Sequence, residues 1–232
     1  MKKQYKSVEC ELSGENYAVL LDRTPALTPL GTPYIIKSKA LAQAIAAEWQ
    51  AQGDVIVKNT MPLCQLACVA LDMAAKNSGE LCADILPYAE TDLVCYRAGD
   101  IPALAQKQTQ LLDPVIGWAE AAFGIALKIA DGVMPVRQPP ENKVKLLAVL
   151  SGLDEWKLAA LAVAVKSLGS FVLGLALVKG RMDAQTAFTL SHLDEAYETE
   201  QWGADEEKDK RLHLLRQEIA NVERLLFLCL SS

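Results

Sequence analysis

An apolar stretch near the C-terminal third limits the folds that are open to this chain. Residues 158–178 are almost entirely apolar, and their length approaches the roughly 20 residues that a membrane-spanning helix requires. Lys166 lies near the centre, where a charged side chain costs about 2.5 to 3.5 kcal/mol on insertion into a bilayer. We therefore predict two buried helices that break near Gly169. A membrane-associated protein anchored through this stretch is the alternative.

Helical spacing continues on both sides of that stretch. Pro62 is placed to begin an earlier helix, and Asp113 and Pro114 are predicted to begin another that runs to Phe123. Pro139-Pro140 separates it from five further helices with short turns, a pattern that is typical of a bundle. These five are predicted over residues 141–150, 154–168, 169–178, 183–202 and 205–230.

The first 37 residues show strand-like patterns instead. Short apolar segments alternate with turn signals such as Ser13-Gly14, which predicts a small antiparallel sheet of hairpins. Such a sheet is marginal alone and needs a helix to cover it. Ser38 is expected to cap that helix, which is predicted over residues 39–52. The strands are predicted around residues 5–10, 17–21 and 34–36.

The change of pattern divides the chain into two predicted domains. We expect an α+β fold, with a small β-rich N-terminal domain covered by a helix over residues 1–58 and a larger α-helical bundle domain over residues 59–232. A short strand at residues 92–97 is the exception within the second domain, and residues 125–129 are its candidate partner.

The strongest charge feature is an acidic segment over residues 194–209. It holds eight carboxylates and one lysine, a local charge of −7, whereas the whole chain carries −6 and the remainder therefore sums to +1. At helical spacing Tyr197 falls on an apolar stripe, opposite Glu195, Glu198 and Trp202. One interpretation is a solvated helix face with Trp202 folded into the core. The other is a recognition surface that steers and anchors a partner.

The overall charge and the cysteines exclude several classes of protein. An acidic chain without a stripe of basic residues lacks the cations that bind the phosphate backbone of a nucleic acid, so no nucleic-acid partner is expected. Six cysteines lie at irregular spacing, and the N-terminus lacks the apolar run of a signal peptide. Reduced thiols in a bacterial cytoplasm, or in a processed matrix protein, are therefore expected.

Motifs of catalysis and cofactor binding are missing from the sequence. It contains no GxxxxGK[ST], GxGxxG or GxSxG, so no catalytic residue or cofactor is expected. His192 could act as a general base with Asp194 beside it, but an exposed histidine on a helix surface is favoured. An enzyme that uses carboxylates near Glu195 stays the alternative. Four cysteines do not match paired CxxC spacing, so no metal site is expected at Cys64, Cys68, Cys82 and Cys95.

Short segments spread over most of the chain form an ordered set. They are Leu41 to Gly53 (LAQAIAAEWQAQG), Thr60 to Leu63 (TMPL), Thr91 to Ala98 (TDLVCYRA), Asp113-Pro114, Trp118-Ala119, Leu168 to Ser170 (LGS) and Leu193 to Gly203. This set resembles the assembly chaperones of the F-type ATP synthase α-subunit, the family called ATP synthase mitochondrial assembly factor two in animals, with relatives in alphaproteobacteria.

The resemblance implies a chaperone without enzymatic turnover. In that family the chaperone binds the free α-subunit and shields the surface that later faces the β-subunit, which prevents aggregation before the catalytic head assembles. The resemblance places this chain in the bacterial cytoplasm, with eukaryotic relatives in the mitochondrial matrix, and we expect a monomer when it is free. It implies that client binding rests on Glu195 above all, with Asp194, Tyr197, Glu198 and Trp202 beside it.

Two points remain open on the residues themselves. Glu195 could instead brace the last helix through an ion pair with Arg211 or Arg216. In addition, Arg23-Thr24 stands where the family resemblance implies a turn that contains glycine, which leaves the geometry of that N-terminal turn undecided.

Overall fold

The computed structural model describes residues 2–132, 134–203 and 205–230. Packing divides the chain into two compact units, each made of more than one segment. Unit 1 comprises Met1–Ser78, Asp154–Ala160 and Asn221–Ser232, and unit 2 comprises Gly79–Leu153 and Leu161–Ala220. The α+β fold class is confirmed. The predicted domain boundary at residue 58 describes parts that fold independently, and it stays a prediction.

Unit 1 is built on a small antiparallel sheet, as predicted. Strands β1 (Val8–Ser13) and β2 (Asn16–Leu21) form a hairpin across the Gly14 turn. Strand β2 also pairs with the two-residue strands β3 (Thr24–Pro25) and β4 (Ile35–Ile36), so β2 is the central strand.

A helix covers this sheet and is capped as expected. Helix α1 (Lys39–Gln50) begins after Ser38, whose Oγ accepts the Leu41 N–H at 3.2 Å. The same hydroxyl donates to the Leu228 carbonyl near the C-terminus. Because the apolar face of α1 is buried, as Ile45 shows, the sheet gains the cover that it needs.

Residues 41–53, which carry part of the family resemblance, stabilise the fold of unit 1. The Glu48 carboxylate accepts the N–H groups of Leu63 and Cys64, each at 2.9 Å, and so caps the first turn of helix α2 (Pro62–Cys68). Gln52 accepts the Val57 N–H at 2.8 Å, which holds the loop between the two helices. Residues 55–57, whose pattern is strand-like, form only an isolated bridge at Val55.

The turn between β2 and β3 keeps a left-handed geometry without glycine. Asp22 and Arg23 have φ angles of +48° and +64°. The Asp22 carboxylate accepts the N–H groups of Ser7 and Lys6, and these backbone hydrogen bonds lower the pKa of Asp22. The hydrogen bonds therefore hold a turn that glycine would adopt more easily.

Helix α2 continues into a π-helix over Val69–Ala74. Its buried Asp72 accepts hydrogen bonds from the hydroxyls of Thr28 and Thr32 and so fastens the loop between β3 and β4. Burial alone would raise the pKa of Asp72, but these hydrogen bonds and the one from Leu30 together lower it.

The rest of the chain is mainly helical, as predicted. Its helices are α3 (Ser78–Glu90), α4 (Pro102–Phe123), α5 (Glu141–Ser151), α6 (Glu155–Leu168), α7 (Phe171–Val178), α8 (Ala184–Ser191), α9 (Leu193–Trp202) and α10 (Glu206–Leu230). Short 3₁₀ turns occupy Lys58–Thr60 and Leu93–Cys95.

Two predicted elements differ from the structure in unit 2. Asp113 and Pro114 lie inside α4 rather than at its start, because tertiary packing of its buried face outweighs the cost of a proline in the helix. The strand predicted at residues 92–97 is reduced to β5 (Tyr96–Arg97) after a 3₁₀ turn. Its parallel partner is β6 (Ala130–Asp131), just beyond the residues expected to pair.

The apolar stretch forms two separate helices, as predicted. Helices α6 and α7 are divided at Gly169, which has a φ angle of +65°, and Ser170 caps α7 by accepting the Leu173 N–H at 3.0 Å. Within the described ranges, none of the helices combines the length and the apolarity that a bilayer span needs.

Close approach of α7 to Val165 of α6 requires a glycine at position 174. A Cβ there would lie 2.9 Å from Val165 Cγ2 and 3.2 Å from Val165 N. We expect Gly174→Ala to lower the free energy of unfolding by about 1 to 3 kcal/mol through overpacking. Chemical denaturation measures this change.

The matched control is Gly117→Ala on α4, where a Cβ would have no neighbour within 4 Å. Alanine favours a helix interior, so this control should gain about 0.5 to 1 kcal/mol. Equal effects of the two substitutions would contradict the close contact at Gly174.

Candidate functional site

The acidic helix α9 starts after a sharp break at His192. The predicted continuous helix over residues 183–202 is wrong, because His192 turns inward with a φ angle of −121°. His192 is only 8% exposed, and its ring stacks on Phe188 at 4.3 Å between ring centroids. Its Nδ1 lies 2.7 Å from Ser191 Oγ. The expectation of an exposed histidine is therefore wrong too, since this side chain packs against Phe188 and Ser191 of α8.

The five residues predicted to bind a client all lie on α9. Asp194 and Glu198 are exposed, and Glu195 and Tyr197 are half-buried. Trp202 is 74% exposed at the end of the helix, so the interpretation that folds it into the core is wrong. Leu193, the first residue of α9, is buried and anchors the helix in the packing of unit 2. The structure thus presents a large aromatic side chain beside a row of carboxylates.

Cations of α10 lie against two of these carboxylates. Arg211 Nη2 is 3.6 Å from Glu195 Oε1, which is the brace that the sequence left open. Lys208 Nζ lies 3.1 Å from Glu198 Oε2 and donates to the Glu195 carbonyl at 3.1 Å. Helix α10 therefore holds one side of α9.

Side chains of α4 hold the other side. Gln108 Nε2 donates to Asp194 Oδ1 at 2.6 Å, and Lys107 Nζ lies 3.5 Å from Glu200 Oε1. The four carboxylates of α9 and the three cations paired with them sum to a net charge of −1. The other four carboxylates of the acidic segment lie at the start of α10 and are not part of this cluster.

These ion pairs are exposed enough to exchange partners. The Glu195 side chain is 30% exposed and the Arg211 side chain 54% exposed. Pairs of this kind contribute about 0 to 1 kcal/mol to stability, so an incoming cation can displace Arg211 at little cost. The cluster can therefore brace α9 in the free protein and still contact a partner.

Gln108 is a site residue that the sequence reasoning missed. It is 4% exposed and accepts the Ala98 N–H at 2.7 Å while it donates to Asp194. A signal was present, because Gln108 stands between Leu104 and Leu112 in an otherwise apolar stripe of α4.

Gln108→Leu is expected to lower the free energy of unfolding by about 1 to 3 kcal/mol, because the Ala98 N–H and the Asp194 carboxylate lose their partner. Gln110→Leu, at an exposed position of the same helix, should stay within about 0.5 kcal/mol. Thermal unfolding of both variants measures the difference, and equal stabilities would show that Gln108 does not position Asp194.

Asp92 is the other polar group that organises unit 2. It is fully buried and accepts the Ser170 hydroxyl at 2.6 Å, the Val172 N–H at 2.8 Å and the Val94 N–H at 3.2 Å. Burial raises the pKa of Asp92 to about 6, and these hydrogen bonds offset part of that rise. Arg97 in the same segment donates to the Val94 carbonyl and to Asp113. This stretch of the family resemblance is therefore structural.

The cysteines and the other titratable groups do not form a further centre in the described residues. All six cysteines are free thiols, and burial raises the pKa of Cys95 and of Cys229 to about 12. In residues 2–132, 134–203 and 205–230, no three His, Cys, Asp or Glu side chains are grouped to hold a metal ion.

Comparison with known proteins gives one family. The family model described as ATP12 chaperone protein matches residues 2–120, a range that ends before α9. The crystal structure of Atp12 from Paracoccus denitrificans superposes with a TM-score of 0.90 at 38% identity, covering 98% of this chain and 98% of that chain. The crystal structure of a protein of Agrobacterium tumefaciens described as a candidate chaperone has a TM-score of 0.84 at 35% identity, covering 97% and 86% of the two chains.

A curated relative extends the comparison to a eukaryote. Protein atp12, mitochondrial, from Schizosaccharomyces pombe is 24% identical over 217 residues, which cover 88% of this chain and 74% of the relative. Both the bacterial structures and the fungal relative thus match most of this chain, including the region beyond residue 120.

Proposed function

This chain belongs to the ATP12 chaperone family, and from that membership we propose that it binds the free α-subunit of the F-type ATP synthase and promotes assembly of the proton-transporting ATP synthase complex. The observation that carries the proposal is the match to Paracoccus denitrificans Atp12 over nearly the whole chain. The α-subunit as client comes from the family resemblance of the ordered sequence segments.

The α9 surface, defined as Asp194, Glu195, Tyr197, Glu198 and Trp202, is the client-binding site in this proposal. Trp202 supplies the exposed apolar anchor that binding hot spots favour. Its carboxylates exchange Arg211 and Lys208 for basic groups at the rim of the client. Because the net charge of the cluster is small, Trp202 is expected to supply most of the binding affinity. The carboxylates then fix the position of the client along α9.

The proposal includes no catalytic turnover. Binding and release are sufficient for a chaperone that covers an apolar surface until the proper partner subunit arrives. We place the protein in the bacterial cytoplasm, where the α-subunit would be synthesised, and we propose that it is a monomer when free.

Complex formation with purified subunits tests this proposal. The protein is mixed in turn with isolated α-subunit and isolated β-subunit from the same source, and each mixture is analysed by size-exclusion chromatography with light scattering. We expect a stable complex with the α-subunit and none with the β-subunit. Elution of the α-subunit without the chaperone, or equal complexes with both subunits, would contradict the proposal.

A further inference from the structure

A second surface of unit 2 differs from the α9 surface in shape and in charge. A groove of about 660 Å³ lies between the end of α3, the loop of residues 135–140 and the start of α5. Its walls are mainly apolar and come from Leu86, Ala89, Val136, Leu146 and the prolines at 135, 139 and 140.

The proline-rich wall of this groove is held in place by two buried side-chain amides. Gln138 accepts the Lys128 N–H and donates to the Lys128 carbonyl, both at 2.9 Å. Asn142 accepts the Ala126 N–H at 3.1 Å and donates to the Ala126 carbonyl at 2.7 Å. An irregular loop is therefore pre-organised, which lowers the entropic cost of binding.

These same contacts bear on what the groove can bind. Because the amides of Gln138 and Asn142 each donate one hydrogen bond to the backbone and accept one from it, their remaining capacity to bind a small polar ligand is reduced. The prolines add no N–H donors. The floor of the groove therefore suits apolar side chains, and polar recognition is confined to its rim.

The rim carries two cations on an acidic protein. Arg137 and Lys143 are exposed, and neither forms an ion pair with the part of the chain that the structure describes. Glu90 is the one acid among the described lining residues, so the rim has a net charge of +1 against −6 for the whole chain. This local reversal of sign is complementary to a carboxylate that approaches the groove.

We propose that this groove binds an extended apolar segment of the client that carries a carboxylate beside its apolar side chains. The inference rests on the proposed function, since the client is the α-subunit. The apolar side chains occupy the space between Leu86 and Leu146, and the carboxylate meets Arg137 and Lys143 at the rim. Two surfaces of opposite charge in unit 2 then bind different segments of one client, which raises affinity and restricts the choice of client.

Charge reversal at the rim tests this proposal. The variant Arg137→Glu with Lys143→Glu is compared with Lys179→Glu with Arg181→Glu, which makes the same charge change at two exposed residues outside the groove lining. We expect the rim variant to bind the isolated α-subunit about tenfold more weakly and the control to stay within about twofold. Biolayer interferometry with immobilised α-subunit gives both dissociation constants.

A photo-cross-link identifies the occupant without charge changes. The full chain carries p-benzoylphenylalanine in place of Val136, is irradiated with the α-subunit, and the linked peptide is sequenced by mass spectrometry. A linked α-subunit peptide that joins apolar residues to an Asp or Glu supports the proposal. A cross-link to a second copy of this chain would overturn it, and so would a linked client peptide without a carboxylate.

The outcomes separate this inference from the proposed function. If the unmodified chain binds the α-subunit and the rim variant binds it equally well, the groove proposal fails and the chaperone proposal stands. If the unmodified chain does not bind the α-subunit, both fail.

Discussion

Glu195→Lys is expected to weaken binding of the α-subunit at least about tenfold while the fold stays intact. The substitution places a third cation beside Arg211 and Lys208, so the cluster of four α9 carboxylates and three paired cations changes from −1 to +1 where it would receive basic groups of the client. The lost ion pair is exposed and contributes at most about 1 kcal/mol to stability. Biolayer interferometry measures the affinity, and circular dichroism and thermal unfolding check the fold.

The matched control is Glu80→Lys, an exposed glutamate in the first turn of α3. It makes the same charge change in the same position relative to a helix N-terminus, so the helix dipole affects both variants alike. Binding by the control should be unchanged. If Glu195→Lys unfolds the protein, or if both variants lose binding equally, Glu195 has no specific role in client contact.

An exchange of charges separates contact from brace. The double variant Glu195→Arg with Arg211→Glu restores an ion pair between α9 and α10 but moves the carboxylate to the other helix. If Glu195 only braces α9, the double variant should recover binding that Glu195→Lys loses. We expect it to regain stability and not affinity, because the carboxylate no longer lies on the α9 surface.

Asp92→Ala is the substitution expected to cost the most stability. It removes the acceptor of the Ser170 hydroxyl and of the Val172 and Val94 N–H groups in a fully buried position. We expect the free energy of unfolding to fall by about 3 to 5 kcal/mol at about pH 5, since each orphaned donor costs about 1 to 3 kcal/mol. Asp183→Ala, which removes the exposed cap of α8, is the control and should cost clearly less.

The cost of Asp92→Ala should also depend on pH. The pKa of Asp92 rises from 3.8 in the unfolded chain to about 6 in the fold, because burial disfavours the ionised carboxylate. Its contribution to stability is therefore complete below pH 3.8 and is lost as the pH rises through 6, about 3 kcal/mol over the whole window.

Between about pH 5 and about pH 7.5, the stability difference between the unmodified chain and Asp92→Ala should shrink by about 1.4 kcal/mol. Chemical denaturation at both pH values measures it. A difference that stays constant, or that grows with pH, would show that burial does not raise this pKa.

Local signals in the sequence predicted those elements whose boundaries depend on short-range chemistry. The cap at Ser38 and the break at Gly169 are of this kind, because a hydroxyl before a helix and a glycine with positive φ act within a few residues. The five client-binding candidates lie together on α9 for a similar reason, since they are close in sequence.

Long-range contacts decided the elements that were predicted wrongly. Pro114 lies inside α4 because packing of the whole helix outweighs one lost hydrogen bond. The break at His192 is the exception, because its ring stacks on Phe188 only four residues earlier. Partners of the candidate site, such as Gln108, are distant in sequence from Asp194. The proline-rich groove was missed because no local pattern shows that Gln138 and Asn142 bond to the backbone of residues 126 and 128.

Light scattering, which follows aggregation of the isolated α-subunit, is the decisive test of the chaperone proposal. Light scattering of the isolated α-subunit is followed over time alone, with an equal concentration of this protein, and with an equal concentration of Glu195→Lys. We expect the unmodified chain to suppress scattering and Glu195→Lys to suppress it much less. If the unmodified chain leaves scattering unchanged, the protein is not a chaperone of the α-subunit.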